Sequence, residues 1–287
     1  LITNLNNPIN PAIMAIGAHA DDVEIHAGGT LEKYFHLGYE VVYVMSTNNM
    51  SGGVSTLKED GTRESRKEAT AQMMIRRKRE CDEAAAEWKT KPIHLDHPQR
   101  HYTDEKLQNV ELRYGCPLPS TVNGDVPSIL TASEDSASVK RLKDLMLEKN
   151  PEVILTHGLA QTNPEHFCTA LLVAKSYWAA IEEGFQGALL LWREHHSLFG
   201  PREMRWDTFV DYTPYFERKM EMIGKHACQM CHWMTPNFGH RTVGREFGKM
   251  AGCGAAEPYT WVRQSTHSTR SGPVFGSLSM ELLGHTR

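Results

Sequence analysis

The sequence predicts an α/β protein: a Rossmann-like, mostly parallel sheet with helices on both faces. Three observations predict it. Short apolar runs such as Ala12–Ala18 (AIMAIGA) and Val153–His157 stop abruptly in polar clusters, as buried strands do. These runs alternate with longer stretches of helical composition, the pattern of parallel strands joined by crossovers. A chain of 287 residues is also long enough to bury a sizeable core.

The elements follow in order. After Ala12–Ala18, Gly28-Gly29 precede a helix over about Thr30–Leu37 that Gly38 closes, and Glu40–Ser46 is the second strand. Thr47–Gly53 is a polar, glycine-containing loop. A charged segment, about Arg63–Trp88, has helix-forming composition and stops before Pro92. Ile93–Leu95 reads as a short third strand, and His97–Ser133, rich in Pro, Gly and Asn, as loop. Ser136–Lys149 is an amphipathic helix with Val139, Leu142, Leu145 and Met146 on one face, and Pro151 ends it. Val153–His157 is a strand, followed by a helix over about Glu165–Glu183, strands at Ala188–Arg193 and Thr208–Tyr212, and a helix over about Pro214–Cys231. Little pattern follows, so a main domain over 1–235 and a partly irregular C-terminal extension over 236–287 are expected.

Composition excludes several classes. A net charge of -4 leaves no electrostatic footprint for nucleic acid. The run Arg76-Arg77-Lys78-Arg79 reads as a solvated helix face. No apolar run approaches the roughly 20 residues of a membrane span, and the mean hydropathy is -0.46. The first residues carry no secretory pattern, and six irregularly spaced cysteines suit a reducing compartment, so a cytoplasmic location is expected. Cys228 and Cys231 form a lone CxxC, a weak signal for metal or redox chemistry.

The chemistry concentrates in Ala18-His19-Ala20-Asp21-Asp22-Val23-Glu24, directly after the first strand. In open α/β sheets ligands bind outside the carboxyl ends of strands. His19 and Asp22, three apart on a tight strand-to-helix turn, can converge on one cation. A third ligand from another strand end would complete a catalytic zinc site with one open position. His166, in Asn163-Pro164-Glu165-His166 after the strand that ends at Thr156-His157-Gly158, is the natural candidate. Asp21 lies beside these ligands, where a carboxylate serves as general base. Alternatively, Asp21 or Asp22 simply caps the following helix. His94, Asp96, His97 and His101 form a second cluster that would hold another metal, line the cleft or lie on the surface. Gln229–Met234 with Phe238 is soft and apolar, either core or the wall of a site for a large amphiphilic acceptor.

Ala12–Leu31, with AHADDVEIHAGGTL at its centre, resembles the signature of the PIG-L/LmbE-like deacetylases, an apolar strand and then A-H-P-D-D-x-E-x-x-x-G-G-T-L. Further motifs follow in the family's order: Thr47-Asn48; Arg77-x-x-Glu80-x-x-x-Ala84-Ala85; Thr156-His157-Gly158; Pro164-Glu165-His166 for H-P-D-H; and Lys219 with His226-Ala227-Cys228-Gln229 for K…H-x-S-Q. The similarity spans about Ala12–Cys231. It implies Zn2+ on His19, Asp22 and His166, with Asp21 as general base. It also implies a substrate-contacting role for Arg77, whose alternative is a solvent-facing helix residue. Glu165, and with it His157, would stand behind the ligands and orient them. His97 is placed in the substrate cleft. The implied reaction is removal of an acetyl group from an N-acetylglucosamine-type sugar on a small-molecule conjugate, with a leaning towards the glycopeptide-antibiotic branch. Three positions depart from the pattern: Ala20 replaces proline, Glu165 replaces Asp, and Asn163 replaces a histidine thought to stabilise the oxyanion. Asn163 can still donate a hydrogen bond but cannot shuttle a proton near neutral pH. A sugar-binding protein that keeps the fold and zinc but turns over weakly is the alternative.

Overall fold

The computed structural model describes residues 11–60, 62–112, 122, 124–192, 206, 208–230 and 239–263. The chain begins with β1 (Ala12–Gly17), α1 (Asp22–His36) and β2 (Glu40–Thr47), then a hairpin of β3 (Gly53–Leu57) and β4 (Arg63–Lys67). Helix α2 (Thr70–Ala85) leads to β5 (Ile93–His97) and a small hairpin, β6 (His101–Thr103) with β7 (Asn109–Glu111). Next come α3 (Ile129–Ala132), α4 (Ser136–Lys149), β8 (Val153–Thr156), α5 (Pro164–Glu182) and β9 (Ala188–Trp192). The last elements are β10 (Thr208–Asp211), α6 (Phe216–Lys225), α7 (Ala227–Met230), α8 (His240–Ala251) and β11 (Ala256–Arg263).

The central sheet has seven strands in the order β10-β11-β9-β8-β1-β2-β5. Pairings from β5 through β2, β1 and β8 to β9 are parallel, whereas β11 runs antiparallel to both β9 and β10. Side-chain alternation along the strands divides the core into two layers. Ile13, Ala15, Val41 and Tyr43 pack with Val23, Leu31, Cys81, Trp88 and Met222 under α1, α2 and α6. Met14, Ile16, Val42 and Val44 pack with Leu142, Met146, Leu172 and Val173 under α4 and α5. The α/β class with helices on both faces is therefore the observed architecture.

Three expectations need correction. Helix α1 starts at Asp22 and contains Gly28-Gly29, which the sequence suggested as its lead-in. Glycine is needed there because a Cβ on Gly29 would lie 2.3 Å from Cγ of Tyr212. Residues 63–67 are strand rather than the start of a helix. The turn before them is fixed by Asp60, which accepts from Thr62 N (2.8 Å) and Thr62 Oγ1 (2.6 Å), and pairing with β3 overrides weak helical propensity.

The third correction concerns the C-terminal part. Strand β11 lies inside the sheet, so a boundary at residue 235 cuts through one folded unit. Glu257 on β11 reaches across the glycines of α1. It accepts from Gly29 N (2.9 Å), Thr30 N (2.7 Å) and Thr30 Oγ1 (2.6 Å), and pairs with buried Lys219 at 2.6 Å. Glu257→Ala would strand the Lys219 ammonium, and a loss of about 3–5 kcal/mol in urea unfolding is expected. A change under about 1 kcal/mol would show that the Glu257 carboxylate and its pairing with Lys219 contribute little to stability.

Candidate active site

The chain runs from β1 outward through β2 to β5, then returns to place β8 and β9 on the other side of β1. The crevice at this reversal is where doubly wound sheets bind ligands. Two strand-end segments meet there: the turn after β1 carries His19, Asp21 and Asp22, and the one after β8 carries His157 and leads to Asn163, Glu165 and His166.

The turn after β1 is strained and tightly held. Asp21 has φ 117°, outside the usual range for a residue with a side chain, at a cost of about 1–3 kcal/mol. Side chains from several elements bind the backbone of the three residues before it. Ala18 N donates to His157 Nε2 (2.9 Å), the Thr47 hydroxyl donates to Ala18 O (2.7 Å), and His19 N donates to Asp22 Oδ2 (2.6 Å). Ala20 N donates to Asn49 Oδ1 (2.7 Å), and Arg77 donates to Ala20 O (2.7 Å). Ala20 thus uses an N–H that the expected proline would lack, so the departure from the pattern carries its own tether. Asp21 occupies the N-cap position of α1, yet its side chain makes no cap hydrogen bond. The simple capping alternative for Asp21 does not hold.

His19, Asp22 and His166 are the one group among the described residues that could hold a metal ion, their candidate ligand atoms all within 4.8 Å of one another. His19 Nδ1 lies 3.1 Å from His166 Nε2 and 3.4 Å from Asp22 Oδ2, and His166 Nε2 lies 3.3 Å from Asp22 Oδ1. Ligand atoms around a tetrahedral zinc with bonds of about 2.0–2.1 Å stand about 3.3 Å apart, so these residues fit such an ion. All three are buried, and all three line a cleft of about 260 Å³ that leaves a fourth direction open.

The two adjacent aspartates are driven apart electrostatically. Burial pushes the Asp21 carboxyl up to about 6, against the pull of Arg77, whose Nη2 lies 3.5 Å from Asp21 Oδ2. Burial acts on Asp22 in the same sense, but His166, His157 and His19 outweigh it and hold Asp22 well below the usual range. Opposite shifts in neighbouring carboxyls separate a proton-exchanging group from a permanently ionised one. Arg77 itself is buried and lines the cleft, so the solvent-facing alternative is overturned. Its neighbour Arg76 instead pairs with Glu68 and Arg79 is exposed, so only part of the basic run is a solvated face.

Glu165 stands behind His19 at 2.5 Å and accepts from Gln99 Nε2 (3.0 Å) and Arg100 N (2.8 Å). Burial opposes its charge, yet these bonds bring its pKa down to about 2. His157 is fully buried, stacked on His166 at 4.2 Å between ring centres, and absent from the cleft wall. Asn163 lines the cleft and caps α5, its Oδ1 accepting from Glu165 N at 3.0 Å.

His97 is not where the sequence suggested. A bulge in β5, with Asp96 at φ 61°, turns its buried imidazole onto Pro127 O at 2.9 Å, away from the cleft wall. His94 faces Asp82 at 3.8 Å and Asp96 is exposed, so the second histidine cluster disperses. Only His101 of that group lines the cleft. Sequence reasoning also missed Ser51, Gly52 and Gln99 in the wall, loop residues with no spacing signal. Cys228 packs with Val54 and Met73; Cys231 and the rest of the soft segment to Phe238 lie outside the described residues.

Fold and site together define a doubly wound α/β protein with three residues at its crevice that could hold a metal ion. Residues 14–177 match the family model PIG-L: GlcNAc-PI de-N-acetylase, and the chain belongs to that family. No curated protein sequence matches it. Among solved structures it is similar to N,N'-diacetylchitobiose deacetylase from Pyrococcus horikoshii, at 19% identity over 93% of this chain and 91% of that one, with a TM-score of 0.60. It is similar to GalB, the 4-carboxy-2-hydroxymuconate hydratase from Pseudomonas putida KT2440, at 19% identity over 90% and 98%, TM-score 0.62. A zinc-inhibited form of teicoplanin deacetylase matches at 13% identity over 87% and 97%, TM-score 0.57. At these identities the likenesses speak for the fold, and because a hydratase shares it, the reaction has to be argued from the site.

Proposed function

We propose that this protein is a zinc-dependent amide hydrolase that removes the N-acetyl or N-acyl group from an N-acetylglucosamine-type sugar on a larger acceptor. The observation that carries the reading is a buried carboxyl, Asp21, beside three convergent metal ligands at the floor of an open cleft. Zinc on His19, Asp22 and His166, when bound, acidifies water and polarises an amide carbonyl. Asp21, fixed by Arg77, takes the proton of the attacking water. With Oδ1 of Asn163 engaged at the helix cap, its amide N–H donors are the groups left to bind the oxyanion. Protonated Asp21 then delivers its proton to the leaving amine. His157, sealed behind His166, positions the turn after β1 rather than carrying that proton. The leaning towards a glycopeptide acceptor comes from the soft segment ending at Phe238 and from the departures from the family pattern; residues 231–238 lie outside the described residues, and the described wall adds no support for it.

The test is single-turnover acetate release by zinc-loaded protein from N-acetylglucosamine-bearing substrates. Release within a turnover supports the enzyme; none from any member of the panel leaves the weakened sugar-binding reading, which Asn163 motivates. Asn163→His is expected to raise kcat, because imidazole can both donate a hydrogen bond and give up a proton. It also replaces a favoured cap residue, so a stability loss of about 1 kcal/mol should accompany the gain. An unchanged kcat would mean that Asp21 alone suffices for proton return.

A further inference from the structure

Gln99 lies in the short connection between β5 and β6 and lines the cleft, yet it is only 1% exposed. Its neighbours in the chain are pinned: His97 O accepts from Asn48 N at 3.0 Å, and Pro98 O accepts from Ile129 N at 2.9 Å. The side chain therefore reaches its partners from a fixed base. The two ends of its amide meet groups of opposite character. Gln99 Oε1 accepts from Ser51 N at 2.8 Å, and Gln99 Nε2 donates to Glu165 Oε2 at 3.0 Å. A backbone N–H can only donate and an ionised carboxylate can only accept, so both partners dictate the same orientation of the amide. Glutamate here would satisfy Ser51 but turn an oxygen towards Glu165. An apolar side chain would satisfy neither.

The carboxylate oxygen that Gln99 reaches also receives Nε2 of His19 at 2.5 Å, while Glu165 Oε1 accepts from Arg100 N at 2.8 Å. Facing an ionised carboxylate, His19 Nε2 is the donor, which leaves the lone pair of the neutral ring on Nδ1. Nδ1 is the atom turned towards the other candidate ligands, 3.1 Å from His166 Nε2 and 3.4 Å from Asp22 Oδ2. A continuous chain thus runs from the cleft wall at Ser51 through Gln99 and Glu165 to His19, and every member of it is buried.

We infer that Gln99 is a positioning residue for the metal centre: it holds Glu165 against His19 so that Nδ1 stays aimed at the ion, and it holds Ser51 so that the cleft wall and the centre form one unit. This rests on the metal-centre reading of the cleft and adds to it a residue that lies in none of the motifs read from the sequence. Groups that stand behind a ligand fix its ring orientation and tautomer, and their loss is felt as weaker metal binding. Gln99 acts one step further out, through Glu165.

The test measures zinc affinity by competition with a chelator, with folding followed by circular dichroism. Gln99→Met keeps the volume and loses both amide contacts, and affinity should fall by about tenfold, the lower end for groups that orient a ligand. In a Glu165→Gln background the same substitution should cost less than about twofold more, because the path to His19 is already cut. Thr70→Val is the control. The Thr70 hydroxyl donates to Thr103 O at 2.9 Å and accepts from Thr103 N at 3.1 Å on neighbouring β6, so its loss should lower Tm without moving zinc affinity. In the unaltered protein, zinc loading should slow amide exchange at Ser51, a readout that does not depend on any variant folding. Wild-type affinity in folded Gln99→Met, losses that multiply in the double variant, or an equal loss in Thr70→Val would each overturn the inference, as would exchange at Ser51 that is indifferent to zinc. A wild type that binds no zinc defeats the metal reading itself, and this inference with it, a result distinct from any difference among the variants.

Discussion

Asp21→Asn is expected to cut acetate release by about 10²-fold or more while leaving the metal content of the protein unchanged. The side chain keeps its shape, and Asn tolerates the positive φ of this position as Asp does. It can still hydrogen-bond a water but cannot accept its proton. Asp21 is also a cost to the fold, a buried carboxyl on a strained backbone, so the variant should unfold no earlier than wild type. Parallel measurements of acetate release, zinc content and Tm decide the matter. Activity that survives at more than a tenth of wild type would remove Asp21 from the role of base. Loss of zinc in step with activity would show instead that the aspartate supports the metal.

The second large effect concerns the ligands. His19→Ala and His166→Ala are each expected to reduce zinc from about one ion per chain to near zero in protein purified without chelator. Each removes one of three donors from a site whose remaining pair cannot enclose the ion. The fold should survive, because both positions lie at strand or helix ends rather than in the two core layers. Elemental analysis with circular dichroism separates a lost ligand from a lost fold. Wild-type metal content in either variant would show that the assignment of ligands is wrong.

The match of residues 14–177 to the de-N-acetylase family also bears on what carries over between similar folds. A hydratase and several deacetylases share this chain's architecture at under 20% identity. The sheet supplies the crevice, and the identity of a few side chains at two strand ends sets the reaction. In this chain those side chains include two departures, Ala20 and Glu165, that the structure explains locally. Asn49 receives the N–H that Ala20 gains, and Glu165 reaches His19 across a site framed by Gln99 and Arg100.

The sequence by itself determined the elements whose signals are local. The apolar runs of β1, β2 and β8, the amphipathic α4 and the Asn163-Pro164 start of α5 are all legible because periodicity, caps and proline act over a few residues. The placement of His19, Asp22 and His166 was legible too, since strand ends in a parallel sheet point to one crevice. Tertiary structure alone decided the rest. Helix α1 runs through Gly28-Gly29 because Tyr212 and Glu257, distant in sequence, pack over them. Strand β11 carries little local pattern and is defined by its place between β9 and β10. His97 turns away because of a bulge, and Arg77 turns inward from a basic run because Asp21 and Ala20 O await it. In each case the deciding energy comes from contacts between residues far apart in the chain, and no short window of sequence contains both partners.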